Sequence, residues 1–335
     1  MNRIPIAVLA SLALCATLFA AEERPMSPVK EKEFKLPGGT SDDRMAIDSA
    51  TDRLYVAHSG VVDVVDIGKG EKVGTIDNVD RAHGVALVPE LKRGFASAGK
   101  NNKLVVFDLE TLKTVKLVST GDNPDAVLYV STTKEIWVFC QGSTEVTVVD
   151  PSTLEEKKPT IKLEGKPESA VENPSKATVY VNIIGEHSDG VCAIEARPRK
   201  VSEVHSLQPG VEPTGLAIHL KTGMLFAGCL NRQLVILDSV KWKVVAHYET
   251  GEFCQGVAFD PATQNIFASS FTITRVVHMF PPNAKDKFLV LTSLQTPGGK
   301  TCVLDPKTHR VVVATGPKPK EEGEVKVLTF LPPAK

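Results

Sequence analysis

Seven side chains of mixed chemistry stand at one equivalent place in this sequence, each just ahead of an apolar run. They are Asp43, His83, Asp125, Glu168, Thr214, Gln255 and Lys300. Carboxylates gathered from neighbouring segments can hold a hard cation such as Ca²⁺ or Mg²⁺. An imidazole beside a carboxylate can move a proton. An ammonium opposite acids can orient a small polar or zwitterionic molecule, or simply neutralise those acids. Which chemistry applies depends on whether the chain brings these positions together.

The runs that follow them are alike: "AHGVALVP", "PDAVLYV", "PTGLAIH", "CQGVAFDP" and "KTCVLDP". A second series carries an aromatic or branched residue at Tyr55, Phe95, Trp137, Tyr180, Phe226, Phe267 and Val312. A third ends in an acid at Asp66, Asp108, Asp150, Glu195 and Asp238. The three series keep step, with a period of roughly 43 residues, and short β-branched runs alternate with turn residues. Each unit therefore predicts four antiparallel strands, the unit of a β-propeller blade. Seven blades begin near Ser41, Val79, Gly121, Gly165, Pro209, Gly251 and Thr296. The last has only three strands of its own. "KEFKLPG" (Lys32 to Gly38) is expected to supply the fourth and close the ring.

The spacing and the "LYVA…VDVVDI…EKVGTI" pattern resemble the bacterial YVTN-type seven-bladed β-propeller repeat family. The resemblance covers residues 33–331. His58 stands where that family usually has Asn. The resemblance implies an all-β, seven-bladed fold with four strands per blade. It implies no particular activity, because the family is functionally diverse.

In a propeller the first strand of each blade is innermost, so the seven mixed residues should ring the mouth of the central channel. A structural position repeats its residue type. This one varies while its neighbours do not, which marks a ligand site or a solvated polar funnel. Loops between second and third strands should open on the same face. They bring His58, Gln141, the "GEHSDG" loop around His187, Asn231 with Arg232, and "GPKPKEEG". Asp66, Asp108, Asp150 and Asp238 read differently, as turn carboxylates that accept backbone N–H groups.

The catalytic vocabulary is sparse. There is no GxSxG, HExxH, phosphate-binding loop or calcium-loop spacing. The six cysteines form no CxxC or CxxCH pattern, which excludes c-type haem attachment and zinc ribbons. Cys229 and Cys254 are the one pair whose positions could allow a disulfide. The formal net charge of −1 favours neither nucleic acid nor an anionic membrane as partner.

Residues 1–21 read as an export signal: Arg3, then an apolar run ending near Ala20 or Ala21. The expected organisation is signal 1–21, linker 22–31 and propeller 32–335, with no transmembrane segment in the mature chain. That describes a monomeric, periplasmic or extracellular binding or scaffold protein without a cofactor. Its partner would be a small polar ligand, a cell-envelope component or another protein. The alternative is a metal-assisted enzyme of the lactonase or lyase kind, using a divalent cation at the mouth.

Overall fold

A computed structural model describes residues 27–36, 42–185, 189–284, 286–316 and 325–332, without the side chains of residues 42 and 43. It contains seven four-stranded antiparallel sheets. The innermost strands are Asp42–Asp48, Ala82–Val88, Pro124–Val130, Lys166–Asn173, Pro213–His219, Gly256–Asp260 and Gly299–Asp305. They touch one another in order, and the seventh touches the first, so the ring is closed.

The aromatic series is the packing layer between blades. Tyr55, Phe95, Trp137, Tyr180, Phe226 and Phe267 are all buried. Tyr55 of blade 1 packs into the Val85, Val105 and Phe107 cluster of blade 2, 5.9 Å from the Phe107 ring. Each blade thus buries its apolar face against the next, which no blade could do alone. The acid series caps turns as expected. Asp108 Oδ1 accepts from Glu110 N and Thr111 N at 3.1 and 2.7 Å. Asp150 Oδ1 accepts from Ser152 N at 2.9 Å, and Asp238 Oδ1 from Val240 N at 2.9 Å.

Blade 7 is completed by the N-terminal strand, Val29–Leu36, paired antiparallel with Val325–Leu331. The strand starts three residues before Lys32, so the end of the 22–31 linker is in fact strand. The pairing register slips between Lys30 and Lys32, and Glu31 occupies the bulge. A bulge re-aims its side chain. Here it turns Glu31 across the sheet onto Arg310, with Nε–Oε2 at 2.8 Å and Nη2–Oε1 at 3.2 Å. Thr329 Oγ1 also donates to Glu31 Oε2 at 3.1 Å.

His58 does not reach the open face. It is 2% exposed, and its Nε2 lies 3.0 Å from Asp63 Oδ2 inside blade 1. Asp63 also meets Lys72 Nζ at 2.7 Å and Thr75 Oγ1 at 2.9 Å. A buried carboxylate accounts for an imidazole at this position. Burial pushes the Asp63 carboxyl up, but His58, Lys72 and Thr75 outweigh it and hold it below the usual carboxylate range.

Two outcomes follow. Deleting Val29–Leu36 exposes the apolar edge of Val325–Leu331 and lowers the melting temperature and solubility sharply. Glu31→Ala costs about 1 kcal/mol, because the clamp is only partly buried. Thermal melts of the two variants check this, and equal melts would refute ring closure by this strand. Asp63→Ala removes one partner of a buried pair and costs about 3–5 kcal/mol at neutral pH. The folded-state pKa of Asp63 lies below its unfolded value. Its contribution is therefore complete above about pH 5, begins to fade near about pH 4, and is lost as pH falls through the lower folded-state pKa. Melting curves of wild type and Asp63→Ala should converge in acid. A gap that stays constant down to low pH would exclude an ionised Asp63.

Candidate functional site

The local chain path explains why the mouth residues face the channel. In six blades the pairing of the inner strand slips across the mouth position, as between Ala82 and Val85 or between Asp42 and Met45. The mouth residue therefore sits in a bulge and leaves the regular alternation of faces. The next residue is usually small: Gly84, Ala126, Ser169, Gly215, Gly256 and Thr301. The reason is close approach. A Cβ on Gly84 would lie 2.5 Å from the Asp125 carbonyl oxygen, and one on Gly256 would lie 2.4 Å from Cys302 N. Small residues let adjacent inner strands touch and keep the channel narrow.

His83, Asp125, Glu168, Thr214, Gln255 and Lys300 line one cavity of about 160 Å³. The side chain of Asp43 lies outside the described residues. Arg44, Gln141 and Thr301 complete the lining. Gln141 was expected on this face from its loop. Arg44 was not, although its signal was present: it is the large cation at a position where the other blades carry small residues.

Arg44 spans the channel from blade 1. Its Nη2 reaches Asp125 Oδ2 at 3.1 Å and Glu168 Oε2 at 3.3 Å. Its Nη1 donates to Ser169 Oγ. Gln141 Nε2 donates to the same two acids, at 2.9 Å to Asp125 and 2.7 Å to Glu168. His83 Nδ1 stands 3.7 Å from Asp125 Oδ1. The two carboxylates are thus held side by side through shared donors. Thr214 lines the cavity with its hydroxyl already engaged, donating to the Cys254 carbonyl at 3.1 Å. Among the described residues no group of three or more His, Cys, Asp or Glu side chains could hold a metal ion.

The other loop residues play structural parts. Asn231 accepts from Val211 N at 3.0 Å and donates to the Pro209 carbonyl at 2.8 Å. Arg232 pairs with Glu249 on the surface. His187 and residues 317–324 lie outside the described residues. Cys229 and Cys254 are both buried and unbonded.

Phe253 is a second feature that the repeat pattern hid. It lies two residues before Gln255 in left-handed backbone, φ 54°. The equivalent positions hold Arg81, Asn123, Glu212 and Gly298, also at positive φ. The conformation belongs to the architecture, but a half-exposed Phe (49%) is a poor choice for it. Its ring meets Phe271 edge-on at 6.2 Å. Phe271 is tied by backbone bonds to Glu252 and to Gly298, which lead to Gln255 and Lys300. An aromatic pair therefore sits on the blade 6 loops that adjoin the inner strands of blades 6 and 7.

No family model matches the sequence, and no curated protein is similar to it. Among solved structures, a chain of Kuenenia stuttgartiensis hydrazine synthase superposes with a TM-score of 0.72 at 15% identity, covering 86% of this chain and 94% of that one. Identity this low speaks to architecture only. The chain is a seven-bladed β-propeller, similar in fold to that subunit.

Proposed function

We propose that the chain is an exported, non-catalytic binding propeller of the YVTN-repeat kind, holding a small polar or zwitterionic solute at the channel mouth. The observation that carries this is the convergence of six side chains from six blades on one cavity, with both signs of charge. Asp125 and Glu168 offer an anionic wall to an ammonium or hydroxyl group. Lys300, Arg44 and His83 offer donors to a carboxylate or carbonyl. The cavity has room for roughly five waters, which limits the ligand to a few heavy atoms inside the mouth. Phe253 and Phe271 give an apolar shoulder for whatever part of the ligand projects. Export is supported by the composition of residues 1–21.

The metal-assisted alternative draws on the paired carboxylates. The geometry weighs against it, because the Arg44 guanidinium lies between the acids where a cation would have to sit.

The test is a thermal-shift screen of free amino acids, betaines and monosaccharides on the mature protein. A binder found there should lose about ten- to a hundredfold affinity in His83→Ala, Glu168→Gln and Lys300→Ala, one good polar contact being worth about 1–3 kcal/mol. Unchanged affinity in all three would make the mouth a solvated funnel. Arg44→Ala leaves two carboxylates facing each other without their cation. Millimolar Ca²⁺ or Mg²⁺ should then raise the melting temperature of Arg44→Ala and leave wild type unmoved. Stoichiometric cation binding to wild type would favour the enzyme instead.

A further inference from the structure

At the end of the propeller opposite the mouth, blades 5 and 6 part to leave a cleft of about 570 Å³. Its walls are apolar: Met224 and Val245 from blade 5, Met279, Phe280, Pro281 and Phe288 from blade 6. This size and lining are those of a small-molecule pocket rather than of a packing defect.

A long connection in blade 6 builds one wall of it. Its third strand ends at Met279 and its outer strand begins at Phe288. The connection, residues 280–287, is twice as long as residues 67–70 in blade 1 or 239–242 in the adjoining blade 5, and blades 3 and 4 carry longer ones still, residues 150–160 and 196–204. It is closed on itself by Phe280 N donating to the Lys287 carbonyl at 2.9 Å. Insertions in repeat proteins collect on binding faces, because the core does not need them. The apolar character continues outside the cleft. Leu220, Val240, Leu289 and Val290 are exposed on the flanking turns and outer strand.

The polar groups of the lining are already matched within the protein. Thr222 Oγ1 meets His219 Nδ1 at 2.8 Å, and Gln264 Nε2 donates to the Pro261 carbonyl at 2.6 Å. Asp238 accepts the amides of its own turn. Three ammonium groups remain: Lys221, Lys241 and Lys287. Lys241 has only a distant partner, Asp238 Oδ2 at 3.8 Å. Lys221 and Lys287 have no ion-pair partner among the described residues. Burial, with Lys221 close by, pushes the His219 imidazole towards its neutral form, so the positive charge of the cleft is left to the lysines.

We infer that this cleft binds an amphipathic anion: an apolar chain lying between the blades, with a carboxylate held by the three lysines. A neutral apolar ligand would leave the lysines without a role, and a cationic one would be repelled. The site is separate from the channel mouth and does not depend on what binds there.

Decanoate is the probe, titrated calorimetrically into the full mature chain, with butyrate and decyltrimethylammonium as comparators. Decanoate should bind saturably with one site per chain, and at least tenfold more tightly than either comparator. The triple variant Lys221→Gln, Lys241→Gln, Lys287→Gln changes only exposed side chains and should weaken decanoate at least tenfold. Val245→Glu places a repelling charge in the apolar wall and should do the same. The inference is overturned if decanoate shows no saturable binding, or if decyltrimethylammonium binds as well. It is equally overturned if both variants bind decanoate like wild type.

Discussion

The pairing of Val29–Leu36 with Val325–Leu331 is the contact on which the rest of the molecule depends. A propeller has no covalent ring. Its blades stay in a circle only because the last one is completed by the first part of the chain. That pairing brings the inner strand of blade 7 against the inner strand of blade 1. Lys300 and Arg44 line one cavity for this reason, although 256 positions separate them in the chain. Closure and site are therefore one problem. The bulge at Glu31 helps by turning a carboxylate inward onto Arg310, beneath the last two strands.

A second constraint sets the width of the channel. Inner strands that touch through glycine and other small residues leave a narrow mouth. A guanidinium on blade 1 can then reach carboxylates on blades 3 and 4. In a wider ring Asp125 and Glu168 would face water or a cation. Here they are balanced from inside the protein, and the fold can keep two acids side by side without an external ion. Any ligand must compete with, or add to, a network that is already hydrogen-bonded. That favours polar molecules able to replace those bonds and disfavours apolar ones.

The blades, the packing layer, the turn acids and the mouth ring were legible in the sequence because each recurs in register. Recurrence averages out noise, and a variable position then stands out against constant neighbours. The same averaging hides single departures. Arg44 occupies a small-residue position, and a repeat-wise reading that looks only at the mouth residue passes over the one beside it. Asp63 lies within a run that reads as ordinary strand, "VVDVVD", so only the fold reveals that it meets His58. Phe253 is likewise a deviation, an aromatic side chain at a position of left-handed backbone. The architecture comes from what the blades share, and the chemistry comes from where one blade differs.

The cysteines illustrate how far the sheet framework replaces covalent cross-links. Cys140, Cys192, Cys229 and Cys254 are buried, and no described cysteine is bonded to another. Burial pushes the Cys140 thiol up to about 11 and the Cys192 and Cys254 thiols up to about 12. The thiolate is the species that attacks disulfides and oxidants, so at neutral pH these groups are inert. Small exported domains often need disulfides because their cores are too small. This ring buries an apolar layer at each contact between blades and closes its open edge with a hydrogen-bonded strand. Its thiols can therefore serve as small apolar side chains, shielded from oxidants by burial rather than by pairing.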